Sequence, residues 1–406
     1  MTPVDDEAEA GLPVDAPAVR PTVGTNALPG YLILYTALYL AYGTESAYLP
    51  AFLANHGLSL EQIGLVLAAG TIVRIVTGPV TGRLADHLDA RKRVLSIASF
   101  FSGLIGLAYN LAFGFAPLLV VSMAHAAATA SLAPLSDTLS VAASVQGRGF
   151  QYGWVRGTGS AAFVCGTLLS GQLIERFGLS SIIIASSVLF LLMTLSAMLV
   201  RPPGALSVSA EKLEIGVFST LARIATYRKL IVVAFLVIGS HALSDAFAVI
   251  QWRNAGYGNL YISLMWSEAV VAEVAVFFLL GSWLIARLGV WGAATLSAGA
   301  GVLRWSVMAS TTALPALVGV QALHGLTFAL MHLAAMGIIA RSIPDRLAAT
   351  AQTAYGTGAL GVASATMTLA SGYLYGWFGL HAFWGMAACC TLALLILRGS
   401  GKIREE

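Results

Sequence analysis

The chain has 406 residues, of which 58% are hydrophobic and only 10% charged, and its formal net charge is +3. A soluble domain usually carries about 25% charged residues. The low charged fraction and the mean hydropathy of +0.82 exclude an ordinary soluble protein, because so much apolar surface is stable only in a lipid bilayer. We therefore predict an all-α membrane protein whose main surroundings are lipid.

The first 29 residues differ from the rest of the chain. Residues 1–29 contain five acidic residues, one arginine and several prolines, which predicts a disordered tail. A basic segment followed by an apolar one is missing, so we expect no signal peptide. The three cysteines, Cys165, Cys389 and Cys390, lie within apolar segments. We interpret them as small core residues and expect neither disulfides nor a metal site.

Apolar segments of about 20 residues follow the tail, separated by short polar intervals. They predict twelve transmembrane helices, near residues 31–54, 62–82, 94–114, 117–142, 151–174, 180–200, 229–251, 262–285, 290–310, 314–341, 350–376 and 380–398. The longest polar interval lies between the sixth and seventh. We predict two six-helix bundles, at 30–200 and 229–398, a cytoplasmic linker at 201–228 and a cytoplasmic tail at 399–406.

Basic residues predict the orientation of these helices. Of the 22 lysines and arginines, 17 fall in the two tails and the even-numbered intervals, whereas only Arg176 and Arg253 fall in the odd-numbered intervals. Basic residues accumulate on the cytoplasmic side of membrane proteins. We therefore expect a multi-pass protein of the inner (cytoplasmic) membrane with both termini in the cytoplasm.

The two predicted bundles resemble each other in sequence. Adding 199 to the numbers of Ala124 and His125 gives Leu323 and His324. In the same way, "SGQLIERFG" (170–178) is similar to "SGYLYGWFG" (371–379). Corresponding helices would cross the membrane in the same direction, so the repeats are parallel. The two halves of major facilitator transporters are related in this way.

The segment "GRLADHLDARK" (82–92) follows the second predicted helix. It resembles the major facilitator loop signature of a glycine, three residues, an aspartate, a base, and then a glycine and two further bases. Four residues match it: Gly82, Asp86, Arg91 and Lys92. Asp89 stands where the signature has its later glycine. The resemblance implies a conformational gate in which Asp86 stabilises the outward-facing state; the alternative is a basic membrane anchor with an incidental aspartate.

Ionisable side chains inside the predicted helices are the strongest functional signal, since each costs several kcal/mol unless it is paired or hydrated. They are Glu45, Arg74, His125, Asp137, Arg156, His241, Asp245, Glu268, Glu273, Arg304, His324 and His332. Three arginines cannot pair with five carboxylates. At least two carboxyl groups therefore need a proton, water or the charge of a ligand, as a proton-coupled carrier would require.

The eighth predicted helix carries two glutamates in different positions. Glu273 shares one helix face with Trp266, seven residues earlier, and aligns with Arg74 in the repeat. Glu268 lies about 140° around the helix from Glu273. We predict that Glu273 faces a central cavity. Glu268 is either a charge at the rim or a specificity feature of this chain.

Two further pairs are suggested by position. His241 and Asp245 are four residues apart in the seventh predicted helix, so they share a face. Glu45 and Arg74 lie in the first and second predicted helices, where an ion pair within the first bundle would be purely structural. Both interpretations of Glu45 and Arg74, structural and functional, stay open.

Four segments resemble the phenylpropionic acid transporter family of the major facilitator superfamily, which is related to nucleoside:proton and lactose:proton symporters. They are "YGWVRGTGSAAFV" (152–164), "AGYGNLYISLMWSEAVVAEV" (255–274), "VLRWSVMASTTALP" (302–315) and "QALHGLTFALMHLAAM" (321–336). The resemblance covers nearly the whole chain from about residue 31. Several motifs in the same order make it specific for the family but not for the substrate.

The resemblance implies proton-driven uptake of a small organic solute. Lactose-type symporters use an arginine on the fifth helix, an acid on the eighth, an arginine on the ninth and a histidine on the tenth. Arg156, Glu273, Arg304 and His324 match these positions. Asp137, in "PLSDTLS", is similar to a family segment and is expected to partner Arg156.

We therefore predict a proton-coupled symporter for a small organic solute, such as an aromatic carboxylate of the phenylpropionate type. The predicted proton-coupling residues are Glu273, His324, Arg304, Asp245 and His241. The predicted substrate-binding residues are Arg156, Tyr152, Asp137, Trp252 and Trp266. The chain shows no metal-ligand spacing, nucleophile elbow or phosphate loop, so we expect no enzyme, cofactor or metal. We also expect a monomer without a nucleic-acid partner.

Three alternatives remain at this point. The solute could be a nucleoside or a sugar, because the related symporters carry both. Acids on the first and fourth predicted helices, Glu45 and Asp137, also suit a proton-driven efflux carrier. A non-transporting membrane sensor is the third alternative. The short predicted tails argue against it, because no extra soluble domain is expected beyond them.

Overall fold

A computed structural model describes residues 27–145, 150–200 and 215–398. The predicted tail at 1–29 lies outside these residues except for its last three, as do the first half of the linker at 201–228 and the whole tail at 399–406. We refer to residues 27–200 as the N-terminal part and to residues 215–398 as the C-terminal part.

All regular elements of the N-terminal part that the structure describes are helices. They are α1 (Leu28–Ser46), α2 (Leu49–Asn55), α3 (Leu60–His87), α4 (Arg91–Ala108), α5 (Phe115–Thr129), α6 (Leu132–Val145), α7 (Tyr152–Phe177) and α8 (Ser180–Leu199), with a 3-10 turn at Tyr109–Leu111. Local signals explain some of the boundaries. The Ser59 hydroxyl accepts a hydrogen bond from the Gln62 amide, and the Gln62 side chain accepts one from the Ser59 amide, which fixes the start of α3.

The C-terminal part is helical as well over its described range. Its helices are α9 (Ile215–Arg223), α10 (Ala225–Gly239), α11 (His241–Asn254), α12 (Asn259–Ala275), α13 (Gly281–Ser310), α14 (Leu314–Gln321), α15 (Met331–Ser342), α16 (Asp345–Ala354), α17 (Ala363–Phe378) and α18 (Phe383–Arg398). Three π-helical segments, Val276–Leu280, Gly325–Leu330 and Tyr355–Val362, and a 3-10 turn at Gly379–Ala382 connect some of them.

Eight helical stretches among the described residues are long and apolar enough to cross a bilayer. Large apolar side chains such as Val76, Ile97 and Trp154 are exposed along the helices, as expected where lipid replaces water. The prediction of an all-α, multi-pass membrane protein is therefore confirmed. Two of the stretches have 52 and 53 residues, far more than one crossing needs, so the twelve-helix count stays a prediction.

The buried apolar residues form three clusters that reveal how the two parts meet. One cluster, from Tyr31 to Val200, belongs to the N-terminal part, and a second, from Leu221 to Leu397, belongs to the C-terminal part. The third, from Ala47 to Cys390, contains residues of both parts. The two parts thus share a core at one end of the molecule and have separate cores toward the other end.

The shared core lies at the end that carries the turns at Gly57, Gly178, Gly256 and Gly379, which we call the Gly57 end. Each of these glycines has a positive φ, between 54° and 87°, a conformation that other residues rarely adopt. At the opposite end, the turn between α3 and α4 contains Asp89, with a φ of 45°. We call it the Asp89 end.

A seam joins the two parts at the Gly57 end. The Tyr48 hydroxyl donates a hydrogen bond to the Asn259 carbonyl at 2.8 Å and lies 2.9 Å from the Ser263 hydroxyl. α3 and α17 approach so closely that a Cβ on Gly64 would lie 2.9 Å from the Cα of Gly372. Toward the Asp89 end, an apolar cleft of about 630 Å³ separates α7 from α12. The two parts therefore touch at the Gly57 end and diverge toward the Asp89 end.

Candidate functional site

A cavity with two lobes lies between the two parts. The Arg74 lobe has a volume of about 410 Å³, and its wall includes Tyr39, Tyr42, Glu45 and Arg74. The Arg304 lobe has about 460 Å³, and its wall includes His241, Trp266, Arg304, Gln321 and His324. Four residues line both lobes and define what we call the waist: Ser46, Phe163, Asp245 and Ser364. Each lobe is large enough for a small organic molecule.

Arg304 is the centre of a polar network in the C-terminal part. Its side chain is 2% exposed, and its Nη2 atom donates to Gln321 Oε1 at 2.8 Å. The Nη1 atom lies 3.0 Å from Nδ1 of His324 and 3.4 Å from Nδ1 of His241. It also donates to the Thr327 hydroxyl at 3.4 Å. Neutral acceptors therefore surround this buried cation, which compensates part of its lost hydration.

The network continues from Arg304 through His324 to Glu273. A guanidinium can only donate hydrogen bonds, so Nδ1 of His324 must be an acceptor and the ring proton must reside on Nε2. That nitrogen lies 3.4 Å from Oε2 of Glu273. A second proton, on Nδ1, would face the donor group of Arg304. Protonation of His324 and its contact with Arg304 therefore exclude each other.

The predicted proton-coupling residues are thus partly brought together. Arg304 contacts His241 and His324, and His324 contacts Glu273. Asp245 lies one helical turn after His241, and its side chain is exposed at the waist. No described residue forms a hydrogen bond or ion pair with its carboxylate. His241 and Asp245 share a helix face as predicted, but their side chains have different surroundings.

Glu268 faces away from the cavity. It is half-buried in the middle of α12. The residues on either side of it along the same helix face, Leu264 and Val271, are exposed by 48% and 54%. This face lines neither lobe, whereas Glu273 turns toward His324. The two glutamates of α12 therefore occupy different environments, in agreement with their angular separation.

In the Arg74 lobe, the charged groups do not pair with each other. Oε2 of Glu45 accepts a hydrogen bond from the Ser186 hydroxyl at 2.8 Å, and Glu45 is 5% exposed. Arg74 is exposed to the lobe. Neither a hydrogen bond nor an ion pair connects it to any part of the chain that the structure describes. The structural Glu45–Arg74 pair considered above is therefore not formed in this conformation.

The predicted substrate residues of the N-terminal part lie behind the wall of the Arg74 lobe. The guanidinium carbon of Arg156 lies 5.0 Å from the ring centroid of Tyr39. Asp137 accepts a short hydrogen bond from the Tyr35 hydroxyl and another from the Tyr152 hydroxyl at 3.0 Å. The expected ion pair between Asp137 and Arg156 is not present among the described residues, because the two tyrosine hydroxyls bind this carboxylate instead.

The two predicted aromatic walls have different positions. Trp266 lines the Arg304 lobe. Trp252 is completely buried in the shared core at the Gly57 end and lines neither lobe. Trp252 cannot touch a solute directly in this conformation, because its side chain has no exposed surface. α11 is buried over most of its length, so its sequence did not reveal which face points to the cavity.

A row of tyrosines in "YLILYTALYLAY" (31–42) belongs to the site but was not predicted from the sequence. Tyr31, Tyr35, Tyr39 and Tyr42 are spaced by three or four residues and therefore follow one face of α1. Tyr31 and Tyr42 donate to the carbonyls of Leu139 and Thr129, both at 3.0 Å. Tyr39 and Tyr42 line the Arg74 lobe. The helical spacing of the row could have indicated this role.

The residues of the loop signature cluster at the Asp89 end. Nε of Arg91 lies 2.6 Å from Oδ1 of Asp86, and Nζ of Lys92 donates to the Met198 carbonyl at 2.8 Å. These contacts join the α3–α4 turn to the end of α8. A Cβ on Gly82 would meet no atom within 4 Å. All of these contacts lie within the N-terminal part.

Comparisons with known proteins support one family. The chain is 33% identical over 371 residues to the probable 3-phenylpropionic acid transporter of Escherichia coli, covering 89% of this chain and 95% of that protein. It is 26% identical over 374 residues to the maltose permease of Geobacillus stearothermophilus, covering 90% and 93%. A crystal structure of a mutant of the nucleoside transporter NupG has the same fold, with a TM-score of 0.84, 15% identity, and coverage of 92% and 99%.

The family model described as "MFS_1 like family" matches residues 30–386, which is most of the chain. This range contains both lobes, the Arg304 network and the loop signature. The predicted family is therefore confirmed, and the chain is a transporter rather than an enzyme. The chain belongs to the MFS_1-like family of the major facilitator superfamily.

Proposed function

We propose that the chain is a secondary active transporter that takes up a small aromatic carboxylate together with protons. In this proposal, twelve transmembrane helices form two six-helix bundles, residues 30–200 and 229–398, that rock about the two-lobed cavity. The Asp89 end faces the cytoplasm, where basic residues accumulate, and the Gly57 end faces outward. The described conformation is then open to the cytoplasm.

The contact between Glu273, His324 and Arg304 is the observation that carries proton coupling. A proton that arrives at Nδ1 of His324 removes the nearest acceptor of Nη1 of Arg304, so the network must rearrange. A proton on Glu273 removes the negative charge that His324 faces at 3.4 Å. Either step changes the balance of charge beside the Arg304 lobe, where the two bundles meet. Binding of a proton can thereby favour one of two conformations.

Arg74 is the proposed receptor for the carboxylate of the solute. Its guanidinium is exposed in the Arg74 lobe and has no carboxylate within ion-pair distance among the described residues. The geometry of its five donors suits a carboxylate. Tyr39 and Tyr42 in the same lobe offer aromatic surface. Arg156, which lies behind Tyr39, adds positive potential on this side. Tyr152 and Asp137, which are joined by a hydrogen bond, are proposed to shape the same side of the lobe.

Two observations favour an aromatic carboxylate over a nucleoside or a sugar. The walls of the lobes combine an unpaired arginine with aromatic side chains, including Phe163 at the waist. The curated relative with 33% identity is named as a probable 3-phenylpropionic acid transporter. Two similar proteins are named as a maltose permease and a nucleoside transporter. Maltose and a nucleoside are therefore the alternative solutes in the experiment below.

The test is uptake of radiolabelled 3-phenylpropionate by purified protein in liposomes, with the outside more acidic than the inside. We expect accumulation above equilibrium that a protonophore abolishes. Arg74→Gln should raise the KM strongly, and Arg74→Lys, which keeps the charge without the planar fork, should recover only part of the affinity. Absence of pH-driven uptake, or accumulation of uridine or maltose instead, would contradict the proposal. Accumulation in response to the opposite gradient would indicate efflux.

The loop signature is proposed to act as a gate. Asp86 and Arg91 pair within the N-terminal part while the Asp89 end is open. The Asp86 side chain remains 55% exposed, so it is available to the C-terminal bundle when this end closes. Gly82 and Lys92 position the turn on either side. Cross-linking of the two bundles at this end, with and without Asp86→Asn, tests whether the closed form needs the carboxylate.

A further inference from the structure

Asp245 is a cavity residue whose hydrogen-bonding capacity is not used. It projects from α11 at the waist, where the two lobes meet. Its side chain is exposed to the cavity, and the described residues offer it neither a hydrogen bond nor an ion pair. A carboxylate is an acceptor with two oxygens. Polar groups inside proteins normally have partners, so this one requires a donor from outside the described chain.

The nearby cations do not supply this donor. The Nη atoms of Arg304 are directed to two histidines, Gln321 and Thr327. Arg74 lines the same lobe as Asp245, yet the two form no ion pair. The Arg74 lobe therefore holds the carboxylate of Asp245 and the guanidinium of Arg74 without an ion pair between them. This arrangement suits a solute with two different polar ends.

Ser46 provides an independent sign that a polar group belongs at the waist. It lines both lobes together with Asp245. Its hydroxyl is buried and has no hydrogen-bond partner among the described residues. Ser46 ends α1, at the break before α2, so the two unpartnered groups come from different bundles. Phe163, also at the waist, supplies an apolar surface beside them.

We infer that Asp245 and Ser46 form a second polar subsite, which accepts a hydrogen bond from a hydroxyl group on the aromatic ring of the solute. The favoured solutes are then hydroxylated aromatic carboxylates. The carboxylate binds Arg74, the ring passes Phe163, and the ring hydroxyl donates to Asp245. The negative charge of Asp245 also repels the carboxylate, so it fixes the orientation of the solute. This inference rests on the proposed function and specifies its substrate class.

The test compares the binding of three acids to purified protein: 3-phenylpropionate, 3-(4-hydroxyphenyl)propionate and 3-(4-methoxyphenyl)propionate. A hydrogen bond to a charged acceptor predicts a Kd for the hydroxylated acid about tenfold lower than that for 3-phenylpropionate. The methoxy acid has a similar shape but no donor, so it should show no such gain. This comparison uses only the wild-type protein and does not depend on the folding of a variant.

The Asp245→Asn variant tests the residue itself. The amide keeps the size of the side chain but loses its charge. The ratio of the Kd for 3-phenylpropionate to the Kd for 3-(4-hydroxyphenyl)propionate should therefore fall by several-fold. Ser46→Ala should reduce the ratio to a smaller extent. Glu268→Gln, which removes a carboxylate from a face of α12 that lines neither lobe, should leave the ratio unchanged.

The possible outcomes separate the inference from the function on which it rests. If 3-phenylpropionate binds and is accumulated but the hydroxylated acid binds no better, the inference is wrong and the proposed function stands. The same holds if folded Asp245→Asn protein keeps the full ratio. If none of the three acids binds, the proposed function fails and the inference fails with it.

Discussion

Nη1 of Arg304 lies 3.0 Å from Nδ1 of His324, and this contact determines which nitrogen of the imidazole carries the proton. Because arginine offers only donors, His324 must accept at Nδ1 and carry its proton on Nε2, toward Glu273. The two residues come from α13 and from the turn before a π-helical segment. π-helical turns often occur at functional sites in helices. The contact therefore joins the permanent positive charge of Arg304 to the imidazole of His324, which can gain or lose a proton.

Replacement of Glu273 by glutamine should uncouple transport from protons. Glu273→Gln keeps the size and the hydrogen bonding of the side chain but cannot exchange a proton. We expect loss of accumulation driven by a pH gradient, whereas exchange of labelled for unlabelled solute across the membrane persists. Both activities can be measured with the same liposomes.

The matched control for this change is Glu268→Gln in the same helix. Glu268 lies among exposed apolar residues and away from His324, so the control should retain pH-driven accumulation. Normal concentrative uptake by Glu273→Gln protein would remove this residue from the proton pathway.

His324 should contribute to both stability and coupling, and two substitutions separate these effects. His324→Leu leaves Nη1 of Arg304 without its nearest acceptor and should reduce the free energy of unfolding by about 1–3 kcal/mol. His324→Gln can still accept from Arg304 and donate to Glu273, so its melting temperature should stay closer to that of the wild type. Neither variant can protonate at this position, so both should lose pH-driven uptake. A glutamine variant with full pH-driven uptake would show that titration of His324 is unnecessary.

Asp89→Gly should stabilise the protein. Asp89 has a φ of 45°, in the left-handed region that costs a residue with a Cβ about 1 kcal/mol or more. Glycine avoids this cost, and the gain should appear as a higher melting temperature in detergent.

The neighbouring Ala90→Gly change serves as the control for Asp89→Gly. Ala90 has a φ of −125°, which alanine adopts without strain, so glycine there adds only freedom to the unfolded chain and should cost about 0.5 kcal/mol. Equal effects at the two positions would show that the left-handed backbone at Asp89 carries no cost.

Gly43→Ala should destabilise the packing of α1 against α7. A Cβ on Gly43 would lie 2.1 Å from the Phe163 carbonyl oxygen, so one of the two helices must move. Such overpacking costs about 3 kcal/mol, and we expect a lower melting temperature or loss of folded protein. Gly157→Ala on α7 is the control, since no atom lies within 4 Å of its added methyl group. A stable Gly43→Ala variant would contradict this description of the contact.

The sequence predicted the elements of the site better than their partners. Arg304, His324 and Glu273 could be identified because each interrupts an apolar helix with an ionisable group, which is rare without a function. The partner of Asp137 could not be predicted in the same way. Tyrosine hydroxyls from α1 and α7 compete with Arg156 for this carboxylate, and such competition depends on the rotation of the helices.

The helix faces show the same limit. Trp266 and Glu273 lie in a helix with one exposed side. Trp266 lines the Arg304 lobe, whereas Glu273 contacts His324 but lines neither lobe, so their shared face did not place both at the cavity. α11 has no exposed side over most of its length, and the spacing of Trp252 therefore carried no information about the cavity. The predicted spans also missed interruptions inside helices, such as the break between α1 and α2 beside Ser46. Such breaks depend on contacts between bundles and leave little trace in hydropathy.

The seam at the Gly57 end is held by a tyrosine hydroxyl and by glycine backbones in direct contact. Neither ion pair found among the described residues crosses it. Dissolved ions weaken attraction between exposed charges but leave dispersion forces and close packing unaffected. The closure of this end should therefore have the same strength in dilute buffer and in concentrated salt.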